Sequence, residues 1–224
     1  MVKKDLSHVP AIKYGREYES KAVDRYVQYM QNIGNPVTCI ESGLVVHPYV
    51  PWLGASPDRK CIDSKVGLGL LEVKCPYSFR DIKPQGACSN PTFCCEEKGN
   101  KYFLRKDHDY YAQIQGQLAL TGLTWCDFLV YTSKGMLIIR VPFDLEFWNE
   151  AVAKLANFFI RYFLPAMNEN FCTINYYSCI GVLIFEADWH RCNDFFFRRP
   201  NWQSAKSKIN KISPGYNQTA NYSN

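Results

Sequence analysis

The stretch from Gly54 to Pro76 constrains the fold more than any other part of the chain. Within it, Gly67–Lys74 is a mostly apolar run with the length of a buried strand, and glycines stand near its start. Glu72 and Lys74 interrupt the run near its end. Because side chains alternate across a strand, these two residues are expected on one face. A carboxylate and an ammonium at the end of a core strand are costly unless they pair or bind something.

A turn upstream of this strand carries a second carboxylate. Ser56-Pro57-Asp58 is typical of a turn between two short strands, and a hairpin can bring Asp58 beside Glu72. Together with Lys74 and the backbone carbonyl of Val73, these carboxylates would form an oxygen-rich site of the kind that Mg²⁺ or Mn²⁺ prefers.

Two other interpretations of these residues stay open at this point. Glu72 and Lys74 on one face can be an ordinary structural ion pair. Asp63, in the polar Asp63-Ser64-Lys65 turn, competes with Asp58 as the metal ligand.

A helix predicted over Asp107–Leu120 adds uncharged polar side chains. Tyr110, Gln113 and Gln117 share one face of this helix by spacing, whereas Ile114 and Leu118 lie on an apolar side. Amides directed towards a neighbouring strand suit contacts to a metal-bound water or a phosphate, and a glutamine-rich surface is the alternative.

Four ordered sequence blocks resemble those of a known enzyme family. They are Y-G-R-E-Y-E (Tyr14–Glu19), G-A-S-P-D (Gly54–Asp58), L-L-E-V-K-C-P (Leu70–Pro76) and Y-Y-A-Q-I-Q-G-Q-L-A-L-T-G (Tyr110–Gly122). Their order resembles the PD-(D/E)xK nucleases and, more closely, the YqaJ-like viral recombinase domain of the lambda-type exonuclease branch. The resemblance covers about residues 12–167.

The resemblance implies a fold and a set of site residues. The fold would be α/β (α+β), with a restriction-endonuclease-like core whose mixed central sheet is flanked by helices. It implies Asp58, Glu72, Lys74 and Gln113 as catalytic residues. Metal ligands would be Asp58, Glu72, the Val73 carbonyl and, on the first helix, Glu19. Contacts to DNA are expected from Arg16, Arg80, Lys83, Arg105 and Gln115.

The implied activity is Mg²⁺-dependent hydrolysis of DNA, with Mn²⁺ able to substitute. An exonuclease acting on linear duplex in recombination, repair or viral DNA processing is expected, with a strand-annealing protein and an oligomer of this chain as further partners. Two alternatives stay open: a catalytically silent DNA-binding module on the same fold, and a non-enzymatic α/β interaction domain. Family members usually carry a segment before the first helix, and this segment is expected to be missing here.

Composition limits the classes of protein to which this chain can belong. With 224 residues and 47% hydrophobic content, the chain is long enough for one good core. A net charge of +5 permits a polyanionic partner through a local patch. No apolar run of membrane-spanning length and no export signal occur, so an intracellular protein without a membrane partner and with free thiols is expected.

The other elements follow from periodicity and breakers. Lys13–Asn32 and Asp144–Leu164 are predicted helices. Predicted strands are Cys39–Val46, Trp52–Ala55, Arg59–Ile62, Trp125–Tyr131 and Met136–Val141. Residues 76–106 are expected to form an irregular insert. Residues 168–224 cannot be assigned, and their end, from Ser204, is predicted to be disordered.

Overall fold

A mixed five-stranded sheet forms the centre of the protein. The computed structural model describes residues 8–166 and 183–184. The strands are β1 (Val37–Glu41), β2 (Val45–Val46), β3 (Leu53–Ala55), β4 (Arg59–Asp63), β5 (Gly67–Lys74), β6 (Cys95–Lys98), β7 (Lys101–Leu104), β8 (Trp125–Thr132), β9 (Gly135–Pro142) and β10 (Leu183–Ile184). The α-helices are α1 (Pro10–Asn32), α2 (Pro84–Ala87), α3 (Asp109–Thr121) and α4 (Leu145–Phe158), and a π-helical turn follows at Phe159–Phe163.

The sheet has the strand order β1-β4-β5-β8-β9. Pairing is antiparallel between β1 and β4, between β4 and β5, and between β8 and β9, whereas β5 and β8 run parallel. Since parallel strands need a crossover connection, the chain between β5 and β8 leaves the sheet and returns through α3. The predicted mixed central sheet flanked by helices is therefore confirmed.

Helix α1 covers one face of the sheet because its apolar residues recur at helical spacing. Ala22, Tyr26 and Met30 are buried and pack with Leu71 and Val73 of β5. As side chains alternate along a strand, Leu70, Glu72 and Lys74 are left to the opposite face, where α3 lies. This alternation sends the two charged residues of β5 to the side of the amide-bearing helix.

Gly69 in β5 lies against a large aromatic side chain. A Cβ atom at this position would overlap the indole ring of Trp125. Trp125 is 7% exposed, and the Arg140 guanidinium lies 4.0 Å from the centre of its ring. The glycine is thus required by a close approach of the side chain on β8 to the backbone of β5.

We expect Gly69→Ala to lower the free energy of unfolding by about 3 kcal/mol, because the added methyl group must displace a buried ring. Urea unfolding followed by circular dichroism measures this change. Gly43→Ala is the matched control, since a Cβ at Gly43 would meet nothing within 4 Å. Equal stability of the two variants would contradict the close approach.

The end of β4 remote from Asp58 carries a buried polar cluster. Asp63 is 2% exposed, and Arg140 donates to it at 3.0 Å and to Asp127 at 2.8 and 2.9 Å. Tyr26 donates to Asp127 at 2.7 Å. Asp63 is paired with Gly67, at the opposite end of the hairpin from Arg59 and Leu71. The alternative that Asp63 replaces Asp58 beside Glu72 is therefore wrong.

Asp63 should make stability depend on acid pH. Burial opposes its ionisation, but donors including the Lys65 amide, Arg140 and Asn35 outweigh burial and lower the pKa of Asp63 to about 2. In the unfolded chain an aspartate titrates near pH ~4, so the unfolded state takes up its proton first as pH falls. The stabilisation is complete above pH ~4 and is lost as pH falls to about 2. We expect Asp63→Asn to remove this part of the acid dependence of urea unfolding; an unchanged dependence would contradict the assignment.

Several details differ from the sequence expectations. The predicted strand Cys39–Val46 is two strands, and the second, β2, pairs with β3 in a separate sheet that also contains β10. The insert 76–106 is not wholly irregular, since β6 and β7 form a hairpin and α2 lies before them. Helix α3 begins at Asp109, two residues later than predicted, because His108 caps it: His108 Nδ1 accepts from the Tyr110 amide. The helix ends before Gly122, which has a left-handed φ of 69°.

The described residues fall into two compact units that meet in the sequence between Asp144 and Leu145. The first contains all three sheets and α1 to α3, and the second begins with α4. None of the helices described is both long enough and apolar enough to cross a membrane. Apart from Leu183–Ile184, the predicted tail 168–224 with its disordered end lies outside the described residues.

Candidate active site

Asp58 takes the place of a strand partner at the end of β5. Pairing between β4 and β5 ends at Arg59 and Leu71, so the backbone of Val73 extends beyond β4. The Val73 amide donates to Asp58 Oδ2 at 2.7 Å. Because the N–H and C=O of a strand residue point to the same side, the Val73 carbonyl also faces the Asp58 side. The predicted neighbourhood of Asp58 and the end of β5 is confirmed.

The Glu72 carboxylate is buried and held by three donors. Lys74 Nζ lies 2.5 Å from Oε1, and Gln113 Nε2 donates to the same oxygen at 2.9 Å. Gln117 Nε2 donates to Oε2 at 2.9 Å. Glu72 is 0% exposed, so these contacts replace the water that would otherwise solvate the charge. Glu72 and Lys74 lie on one face of β5 as expected, and Gln113 points towards Glu72 as expected.

The site places like charges together beside one ammonium. Burial, followed by the neighbouring Glu72 carboxylate, raises the pKa of Asp58 to about 7. Burial opposes the charge of Lys74, but Glu72 and Asp58 outweigh burial and raise the pKa of its ammonium above the ordinary value. The Lys74 Nζ also lies 4.8 Å from the centre of the Tyr110 ring. Lys74 is therefore held as a cation, a direction that the sequence alone left open.

Glu19 lies at the rim of the site and has a partner of its own. Its carboxylate is 3.1 Å from Arg59 Nη1, and the same nitrogen donates to the Asp58 carbonyl at 2.6 Å. The charge of Glu19 contributes to the raised pKa values of both Asp58 and Cys75. The first helix thus does bring an acidic group towards Asp58, but Arg59 holds it.

The donor set fits a hard divalent cation. Asp58, Glu72 and the Val73 carbonyl supply oxygen atoms only, which suits Mg²⁺ or Mn²⁺. Burial and then repulsion from Glu72 raise the pKa of Asp58, and a bound cation would relieve the repulsion. Within residues 8–166 and 183–184, no group of three or more Asp, Glu, His or Cys is placed to hold a metal. A metal site here would therefore rest on two carboxylates completed by backbone.

Three of the basic residues expected to contact DNA have exposed or partly exposed side chains. Arg16 on α1 and Lys83 before α2 are exposed. Arg80 caps the short 3₁₀ turn that follows β5 and lies 4.2 Å from the Tyr77 ring centre. It donates to the Tyr77 carbonyl at 2.8 Å and pairs with Asp81 at 3.4 Å, but its side chain is still 40% exposed. Their contact with DNA stays a prediction.

Two residues expected to contact DNA are instead committed to the framework. Gln115 is 0% exposed; its Nε2 donates to the Pro142 carbonyl at 3.0 Å and its Oε1 accepts from the Asp144 amide at 2.7 Å. Arg105 donates to the Phe93 carbonyl at 2.9 Å and pairs with Glu96 at 3.2 Å inside the insert. Neither assignment to DNA contact is supported, because both side chains already bind their own chain.

The contacts that Gln117, Arg59 and Tyr110 make with the site residues were not predicted from the sequence. The position of Gln117 one helical turn after Gln113 was the signal for a shared direction, but not for contact with Glu72. Arg59 directly follows Asp58, and its contact with Glu19 joins residues 40 positions apart, which no local pattern shows.

Comparison with known proteins gives one family match and a structural likeness. The family model of the YqaJ-like viral recombinase domain matches residues 1–124. A crystal structure of the exonuclease LHK-Exo in complex with dAMP is similar at a TM-score of 0.53 and 24% identity, covering 75% of this chain and 76% of that chain. A crystal structure of this alkaline exonuclease from Laribacter hongkongensis gives a TM-score of 0.47 at 26% identity, with 72% and 76% covered. No curated protein matches the chain significantly.

Proposed function

This chain belongs to the YqaJ-like viral recombinase domain family, and we propose that it is a metal-dependent DNA nuclease that acts as an exonuclease on linear duplex. Membership of this family supports the nuclease activity. One observation carries the proposal for the site: Asp58 and Glu72 lie together at the end of β5, with the partly exposed Lys74 ammonium beside the buried Glu72 carboxylate.

The residues divide into those that hold a cation and those that act on the phosphate. Asp58, Glu72 and the Val73 carbonyl would hold Mg²⁺, and Glu19 would contribute if Arg59 released it. When bound, such an ion supplies charge stabilisation to the phosphate oxygens and activates water for attack.

Lys74 and Gln113 would contact the phosphate or the attacking water directly. Lys74 carries a fixed positive charge beside Glu72, so it would stabilise the negative charge that develops on the phosphate or orient the attacking water. Gln113 donates to Glu72 through its amide nitrogen, which leaves its carbonyl oxygen as an acceptor for a water or substrate proton. Arg80 would contact the DNA backbone beside the site, as would Arg16 and Lys83 further out.

The experiment that tests the proposal compares end-labelled linear duplex with covalently closed circular DNA. Each substrate is incubated with Mg²⁺ or with EDTA. We expect loss of the linear duplex alone, and only with metal. Nicking of the closed circular DNA would show that the protein is an endonuclease and not an exonuclease.

A catalytically silent DNA-binding module is the second candidate, since the same surface could be retained without turnover. Such a module would bind Mn²⁺ and DNA but would cleave neither the linear nor the circular substrate. A domain that takes up neither Mn²⁺ nor DNA would overturn both proposals and leave Glu72 and Lys74 as a structural ion pair.

A further inference from the structure

Gln117 is a buried amide whose carbonyl end has no partner. The side chain is 0% exposed, and among the described residues its Oε1 is one of three buried side-chain nitrogen or oxygen atoms without a hydrogen bond. Its Nε2 donates to Glu72 Oε2 at 2.9 Å. The orientation of the amide follows from chemistry, because the flipped form would set an acceptor oxygen against the carboxylate.

The carbonyl end of this amide is unfavourable for stability. A buried acceptor without a partner costs about 1–3 kcal/mol. Its neighbours on α3, Ile114 and Leu118, are apolar and fully buried, so their side chains offer the carbonyl no hydrogen-bond donor. The unfavourable carbonyl end is retained together with one specific contact, the hydrogen bond to Glu72.

That contact has a distinct effect on the carboxylate. Lys74 and Gln113 both donate to Oε1, whereas Gln117 donates to Oε2. With donors on both oxygens, the plane of the carboxylate is held against rotation about its last bond. If Gln117 were absent, both remaining donors would act on one oxygen and that rotation would be less restricted.

We propose that Gln117 is a positioning residue, which orients the Glu72 carboxylate for a divalent cation without touching the cation or the DNA. The inference rests on the proposed metal site at Asp58 and Glu72. It assigns a role at the site to an amide of α3 other than Gln113.

The test uses the full chain and measures Mn²⁺ binding without DNA, by the paramagnetic resonance signal of free Mn²⁺ during titration. We expect Gln117→Met to weaken Mn²⁺ binding by about 10- to 100-fold, the usual loss when a residue that orients a ligand is removed. Thermal unfolding without metal should shift downward less than for a buried amide with both ends bonded, because the loss of the donor to Glu72 is offset in part by the removal of the unpartnered oxygen. A residue with a purely structural role would not separate metal affinity from stability in this way.

Gln115→Met is the matched control, since Gln115 is an equally buried amide two positions away that binds Pro142 and Asp144. We expect this variant to unfold at lower temperature and to bind Mn²⁺ as the wild type does. Gln117→Leu provides a second replacement if methionine packs poorly. Wild-type Mn²⁺ affinity in both Gln117 variants would overturn the inference. A wild-type protein that binds no Mn²⁺ would overturn the proposed metal site, and the inference with it.

Discussion

Replacement of Lys74 with methionine is expected to lower the single-turnover rate of DNA cleavage by on the order of 10³-fold, the usual cost of losing a preorganised charge at the reacting group. The Lys74 ammonium lies 2.5 Å from Glu72 and is only 21% exposed, so methionine in its place leaves the Glu72 carboxylate without the neighbouring ammonium. Methionine retains most of the side-chain volume, and Glu72 keeps the Gln113 and Gln117 donors. The rate is measured with enzyme in excess over end-labelled duplex.

Lys134→Met provides the control for Lys74, because Lys134 is an exposed lysine in the β8–β9 turn. Its rate should equal that of the wild type. Circular dichroism at the assay temperature shows whether the Lys74 variant is folded. A folded Lys74→Met protein with a wild-type rate would remove Lys74 from the proposed chemistry.

Asp58→Asn is expected to weaken Mn²⁺ binding by at least ~100-fold, since one of two anionic ligands becomes neutral. DNA cleavage should fall with it, by on the order of 10³-fold. The asparagine carbonyl oxygen can still accept from the Val73 amide, as Asp58 Oδ2 does at 2.7 Å, so the hairpin end should be preserved. Calorimetric titration with Mn²⁺ and single-turnover cleavage measure the two effects.

The same substitution at the other end of β4 separates a metal ligand from a structural carboxylate. Asp63→Asn removes a buried charge held by Arg140, yet it should leave Mn²⁺ affinity unchanged. Equal losses of Mn²⁺ affinity in the two variants would argue that folding, and not ligation, is affected. An unchanged affinity in Asp58→Asn would remove Asp58 from the metal site.

Local patterns predicted the parts of this protein that depend on neighbours in the chain. The apolar run with Glu72 and Lys74 predicted strand β5 and the shared face of the two charges, because alternation is a property of every strand. Helical spacing likewise predicted that Gln113 and Gln117 point the same way. The order of the four motifs then indicated the family, which the match over residues 1–124 confirms.

Contacts between distant segments were decided only by the tertiary structure. The sequence contained an amide at Gln115 and another at Gln117, with nothing local to say that one binds the backbone before α4 and the other binds Glu72. Arg105 was expected to contact DNA because it is basic, but it binds Phe93 and Glu96 within the insert.

Asp58 and Asp63 show most clearly why a local pattern does not determine the partners of a side chain. Both aspartates border the strand β4 in the sequence, but the register of β4 on β5 sets Asp63 opposite Gly67 and leaves Asp58 beyond the last pair, next to Val73. A strand pattern determines which face a side chain takes, whereas register and burial against other segments determine its partners and its charge. The sequence by itself therefore determined the chemistry present at the end of β5, and the packing of β4, α1 and α3 around that strand decided which residues share it.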